Sequence, residues 1–235
     1  MSRGSVIHEG RNRLAALALD VPGRAGLEAV LKQFRPRGLD RLKTLFLPSK
    51  ALKAWRGARA LLDRGIPTPR PLAYLERRRA GMITEGYFLA EKLPNVREVR
   101  ELFIALEGGD LDRLLRSLAD FLRTCHDRGV LHRDLSDGNV LAAEDGRGGY
   151  VFHLLDTNRV RVVKRVAGRR AASNLVRLGI PRESRRTFLS YYGAGRAPGR
   201  FFALWYGFRK SWYASWVRVK KALRLRALAR KLGVQ

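Results

Sequence analysis

The chain has 235 residues, 46% of them hydrophobic, enough for a proper core in one domain of two lobes or in two small domains. No window offers the ~18 uninterrupted apolar residues of a membrane span, Met1–Gly10 lacks the apolar core of a signal peptide, and a lone Cys125 cannot make an internal disulfide. A cytoplasmic, reducing compartment is therefore expected, and the formal charge of +27 draws polyanions: nucleic acid, anionic lipid or phosphorylated glycans.

Residues 5–35 read as short strands and turns, punctuated at Gly10 and at Pro22-Gly23. Leu27–Phe34 alternates well enough for a strand, with Lys32 toward its end. Residues 49–64 are spaced for a helix: Ser49 is the N-cap, and Leu52, Trp55, Ala58 and Leu62 share one face, with Trp55 in the core. The helix stops at Gly65. Ile66–Pro71 must then be extended, because each proline restricts the residue before it. Leu72–Leu75 and Gly86–Leu93 form a hairpin with Glu76–Glu85 as its polar connection. Pro94-Asn95 marks a break, and the hinge between lobes falls near Glu91–Pro94.

From Asp110, a good cap, Leu111, Leu114, Leu115, Leu118, Phe121 and Leu122 line one helical face. Cys125 continues the pattern as a small buried hydrophobe. Val140–Ala142 and Tyr150–Leu155 pair as strands around the Gly146–Gly149 turn. Residues 170–192 and 203–232 read as further helices. No Asp or Glu occurs after Glu183, and Trp205, Trp212 and Trp216 all fall in this basic stretch. Written as a helix, Phe208, Trp212, Trp216, Val219 and Leu223 make one stripe. Such a stripe packs on the domain or lies at an anionic membrane surface; nucleic-acid binding is the third reading.

The sharpest signal is His132-Arg133-Asp134-Leu135-Ser136-Asp137-Gly138-Asn139, with Leu154-Leu155-Asp156-Thr157-Asn158 after an intervening strand. Phosphoryl transfer to a hydroxyl needs a carboxylate to orient the attacking oxygen, and an amide and a second carboxylate to hold Mg²⁺ against nucleotide phosphates. Asp134 fits the first role, Asn139 and Asp156 the others, and the hairpin brings the last two together. Lys32 is the candidate contact to the phosphates. Arg133 and Arg159 either meet an anionic substrate or balance Asp134 and Asp156. His126, His132 and His153 fit no zinc spacing and are read as packing and loop-bracing residues.

These residues, with Val30-Leu31-Lys32-Gln33-Phe34 and Arg64-Gly65-Ile66-Pro67-Thr68-Pro69-Arg70-Pro71, resemble the bacterial lipopolysaccharide kinase family, the Kdo and core-heptose kinases. The resemblance covers most of the chain. It implies an α+β, protein-kinase-like fold with a small β-rich N-lobe (1–92) and a mainly helical C-lobe (93–235), extended by a basic, aromatic helical segment (203–235). It further implies ATP and Mg²⁺ as cofactors, a lipid A-linked core sugar as substrate, and a location on the cytoplasmic face of the inner membrane.

Three departures from the kinase pattern stand out. The helix after Lys32 contains no Glu to hold the lysine; Ala54 stands at that place, leaving Glu85 or Glu91 as candidate substitutes. No Gly-x-Gly-x-x-Gly is present, and Gly10-Arg11-Asn12 is the best candidate for a phosphate-covering turn. Asp156-Thr157-Asn158 replaces Asp-Phe-Gly, with Asn158 expected to take the left-handed conformation of the glycine. A constitutive small-substrate kinase follows. A kinase fold acting on a protein or small-molecule hydroxyl, or an inactive polyanion-binding scaffold, are the rivals.

Overall fold

The computed structural model describes residues 4–9, 13–21, 24–195 and 199–222. Three antiparallel strands open the chain: β1 (Gly4–Glu9), β2 (Arg13–Val21) and β3 (Arg24–Phe34). The turns expected at Gly10 and at Pro22-Gly23 lie outside the described residues. β4 (Pro71–Arg79) and β5 (Met82–Glu91) complete a five-stranded sheet in the order β1-β2-β3-β5-β4, with β3 at its centre.

The hairpin of β4 and β5 is longer than its sequence suggests. Glu76–Glu85 is not a connection: Glu76 pairs with Gly86, Arg77 with Glu85 and Arg79 with Met82. Only Ala80 and Gly81 make the turn, both at positive φ (48° and 73°), the geometry that matches the twist of two paired strands. The charged residues belong to a solvent-facing ribbon, joined across by Arg77–Glu85 at 3.8 Å and along one strand by Arg78–Glu76 at 2.9 Å.

Between the two hairpins lie α1 (Leu39–Leu42), a 3-10 turn (Lys43–Leu45) and α2 (Lys50–Leu62). Ser49 caps α2, accepting from Leu52 N–H at 2.8 Å. The buried face is made of small residues, Ala51, Ala54, Gly57 and Ala58, with Leu61, so the helix axis comes close to its neighbours. Trp55 is only half-buried and meets Tyr74 at 5.8 Å rather than entering the core. The end of α2 is a Schellman motif: Ile66 N–H bonds to Leu61 C=O and Gly65 N–H to Leu62 C=O, with Gly65 at φ 62°. Ile66–Pro71 then crosses to the other half of the molecule, where Leu154 N–H donates to Pro67 C=O and the Thr68 hydroxyl donates to Leu154 C=O.

That half is mainly helical. β6 (Arg97–Glu98) leads into α3 (Val99–Ala105) and α4 (Gly108–Asp127), whose buried Leu114, Leu115, Leu118 and Leu122 anchor the main core. α4 begins three residues earlier than expected, so Asp110 sits in its first turn and Glu107 takes the cap position. A carboxylate in the first turn still complements the helix dipole. β7 (Val130–His132) pairs with β10 (Val160–Val162), while β8 (Val140–Glu144) pairs with β9 (Tyr150–Leu154) and β6.

The predicted helix over 170–192 is two helices, α5 (Gly168–Leu175) and α6 (Arg185–Tyr192). Gly179 and Pro181 break the run, and Leu178 and Ile180 of the intervening turn are buried in the core. α7 spans Arg200–Ala222. Tyr206 is buried and Trp205 and Tyr213 are half-buried against the core. The Lys210 ammonium donates to Val176 and Leu178 carbonyls at 2.7 and 2.5 Å. The stripe of Phe208, Trp212, Trp216 and Val219 faces solvent; Leu223 lies outside the described residues.

Candidate active site

Lys32 lies on the central strand, opposite Leu14 of β2 and Phe88 of β5. Pairing on both edges fixes its backbone. Its ammonium forms an ion pair with Asp156 Oδ1. The lysine partner expected from Glu85 or Glu91 is therefore an aspartate of the other half of the molecule. Glu85 is engaged by Arg35, Arg77 and Tyr87, and Glu91 lies 3.9 Å from Arg70.

Asp156 lies two residues past the end of β9 and adopts the left-handed conformation, φ 54° and ψ 43°. The expected left-handed residue was Asn158, which instead sits in the 3-10 turn Thr157–Arg159. The kink falls between β9 and the 3-10 turn, at a residue type that, like Asn, visits the left-handed region. The turn is clamped to α2: the Thr157 hydroxyl donates to Ala54 C=O at 2.8 Å. Gly57 passes so close that a Cβ there would lie 2.0 Å from Thr157 C=O oxygen.

Asn139 staples the catalytic loop to the Asp156 segment. Its Nδ2 donates to Asp134 C=O at 2.8 Å, and its backbone C=O accepts from Leu155 N–H at 2.9 Å. His132 braces the loop from beneath: Nε2–H donates to Leu155 C=O at 2.9 Å, while Nδ1 accepts from Asp134 N–H at 3.3 Å. Burial pushes its pKa below the ordinary histidine value, which keeps the ring neutral and Nδ1 an acceptor. Behind it, Asn174 Nδ2 donates to His132 C=O at 2.7 Å and Asn174 Oδ1 meets His126 Nε2 at 2.9 Å. His126 Nδ1 then meets the Tyr192 hydroxyl at 2.6 Å. His126 and His132 are thus bracing residues, as expected. Cys125 is buried, and burial pushes its thiol up to about 12, leaving it inert.

One functional contact carries no sequence signal. Arg177 places its guanidinium 2.7 Å from Asp134 Oδ1 and over the Tyr213 ring at 5.8 Å. Neither Arg133 nor Arg159 takes the balancing role considered for it. Arg177 and Lys32 hold the two carboxylates, while Arg133 N–H only closes the loop on Arg159 C=O at 3.0 Å.

Lys32, Glu91, Asn139 and Asp156 all line one cavity of about 580 Å³ at the junction of the sheet and the helical half. Val30, Ala90, Leu93, Leu141 and Leu154 supply its apolar walls. Asp134 is not among the lining residues. Gly10 lies outside the described residues. Among the described residues no group of three or more His, Cys, Asp or Glu comes together, so no all-protein metal cage is present there. A carboxylate and an amide oxygen on one cavity do suit Mg²⁺, which takes one or two protein oxygens and completes its shell with phosphates and water.

A small antiparallel sheet set on a mainly helical half, with Lys32, Asn139 and Asp156 on one cavity where they meet, is a kinase-like fold. The model of the lipopolysaccharide kinase (Kdo/WaaP) family matches residues 39–187, and the chain belongs to that family. It is a lipopolysaccharide sugar kinase, using ATP to phosphorylate a sugar hydroxyl. A solved structure described as WaaP in complex with acyl carrier protein shares the fold, with a TM-score of 0.62 at 19% identity over 89% of this chain and 88% of that one. Comparison with curated proteins gave no match.

Proposed function

We propose that the chain phosphorylates an inner-core sugar, Kdo or heptose, of lipid A-linked lipopolysaccharide at the cytoplasmic face of the inner membrane, with Mg²⁺ as the metal. The observation that carries the site assignment is the Lys32–Asp156 ion pair on the same cavity as Asn139. Lys32 would contact the phosphates of a bound nucleotide, and Asp156 with Asn139 would hold the cation that neutralises them. When bound, MgATP supplies the transferred phosphoryl group and neutralises the charge developing on it. Val30, Leu141 and Leu154 offer the apolar slot for the base, and Glu91 stands where the two lobes join, between residues 92 and 93. Asp134 orients the acceptor hydroxyl and takes its proton late in transfer.

The membrane location rests on α7. Among the described residues no helix is long and apolar enough to cross a membrane. Trp212 and Trp216 nevertheless stand 62% and 49% exposed on a helix with no acidic residue, the composition of an interfacial helix.

Transfer of labelled phosphate from ATP to delipidated core oligosaccharide tests the reading. Asp134→Ala is expected to abolish turnover while ATP still raises the melting temperature as in wild type. Retained turnover removes Asp134 from its role. Labelling of protein alone would replace the acceptor, and a folded protein that binds no nucleotide would support the scaffold.

A further inference from the structure

A second concavity lies beside the catalytic loop and outside the nucleotide cavity. It is a shallow groove of about 440 Å³ formed by Arg133 of the loop, Arg169 and Arg170 from the start of α5, Ser173 and Asn174 on its next turn, and Trp205 of α7. All three arginines are exposed. The ion pairs nearby go to other residues, Arg177 to Asp134 and Arg165 to Asp127. Among the described residues Arg133, Arg169 and Arg170 have no carboxylate partner.

In so basic a chain a loose cluster of arginines would mean little by itself. This one has a built floor. Trp205 Nε1–H donates to Ser173 Oγ at 2.9 Å, which fixes the indole, and the Arg169 guanidinium lies over its ring at 5.7 Å. Asn174 of the same groove is the residue that holds His132 C=O, so the groove and the catalytic loop are one rigid unit. Three like charges held together without a counter-ion repel one another, and an anion placed among them relieves that repulsion. Guanidinium forks match carboxylate and phosphate oxygens in pairs.

We infer that this groove is the acceptor subsite: Arg133, Arg169 and Arg170 hold an anionic group, carboxylate or phosphate, of the sugar above the floor that Trp205 makes. The inference rests on the sugar-kinase reading for its ligand class. Arg133, next to Asp134, links the held anion to the base, so the groove selects acceptors with a negative charge close to the reacting hydroxyl. From the floor an aromatic ladder continues along α7, Trp205 to Phe208 at 5.9 Å and Phe208 to Trp212 at 6.4 Å. A lipid-linked acceptor would therefore have its sugar in the groove and its apolar part toward the exposed stripe.

Calorimetric binding of delipidated inner-core oligosaccharide to the full chain tests this, using native, carboxyl-reduced and dephosphorylated forms. Arg169→Ala with Arg170→Ala is expected to weaken binding of the native form by about tenfold or more. Arg77→Ala with Arg79→Ala removes the same charge from the β4–β5 ribbon and should change it less than about twofold. The modified oligosaccharide that loses affinity for the wild-type chain identifies the anion held. Equal weakening by the two pairs would reduce the groove to general charge and overturn the subsite. A wild-type chain that binds no form overturns it as well. Binding that depends on Arg169 and Arg170 without phosphate transfer would retain the subsite and retire the kinase reading.

Discussion

Arg177 sets how firmly Asp134 is aimed. Its guanidinium holds one carboxylate oxygen at 2.7 Å while its own plane is steadied over Tyr213. A hydrogen bond to a charged group contributes about 1.5–3 kcal/mol, so removing it should cost about 10- to 100-fold in kcat through misplacement of the base. Arg177→Ala is expected to lower kcat by that factor with the KM for ATP unchanged, and Arg177→Lys to recover part of the loss. A steady-state comparison in which kcat does not move would dismiss the contact as incidental. Lys32, Asn139 and Asp156 were legible because kinase-type chemistry fixes their spacing within short segments, and the structure brings these three together on one cavity. Arg177 was not legible. It reaches Asp134 from the turn after α5, and no spacing rule singles it out among the chain's 48 Lys and Arg residues.

At the scale of elements, the helix that lacks the expected Glu holds the site by contact rather than charge. α2 meets the Asp156 turn through Gly57 and through the Thr157 hydroxyl on Ala54 C=O. A Glu at position 54 would enter that seam, since Ala54 is buried and also lines the nucleotide cavity. Gly57→Ala separates this account from ordinary helix propensity. In an unobstructed helix the change would stabilise by about 1 kcal/mol; here the new methyl carbon collides with a backbone oxygen, and overpacking costs about 1–3 kcal/mol. Urea unfolding should show a loss of stability, and ATP titration a weaker affinity as the Asp156 turn is pushed away. A gain in stability would mean that the helix and turn are not in contact. The small-residue face of α2 was readable only as helical periodicity, because what it faces lies a hundred residues away. The β4–β5 ribbon was misread for a different reason: its charges resemble a loop by composition, and only the pairing partner reveals a strand. The gap between α5 and α6 shows the converse, an apolar turn that reads as helix until Gly179 and Pro181 are given their weight.

The whole molecule divides its charge unevenly, and α7 shows what the division does. One side of this helix is committed to the core through Tyr206, Trp205 and the Lys210 ammonium. The stripe of Phe208, Trp212, Trp216 and Val219 that continues from Trp205 remains in solvent beside Arg209, Arg218 and Lys220. The packing reading thus holds for one face, and the membrane reading proposed above concerns the other. Burial of Tyr206 and Lys210 means that the helix is already folded without a membrane, so the exposed stripe is free to act on a surface. Each basic residue near an anionic leaflet contributes about 1 kcal/mol, and two indoles at the interface add their apolar area. Trp212→Ala with Trp216→Ala is expected to reduce partition onto phosphatidylglycerol vesicles by about tenfold or more. The melting temperature should stay within about 2 °C, because the removed rings were exposed and surface changes leave stability within about 0.5 kcal/mol. Raising salt from about 0.1 M to about 0.5 M should weaken wild-type binding further, since the screening length shrinks while the apolar term persists. If the double variant melts far lower and its partition is unchanged, the stripe is a packing face, and the attachment to anionic lipid must then come from charge alone.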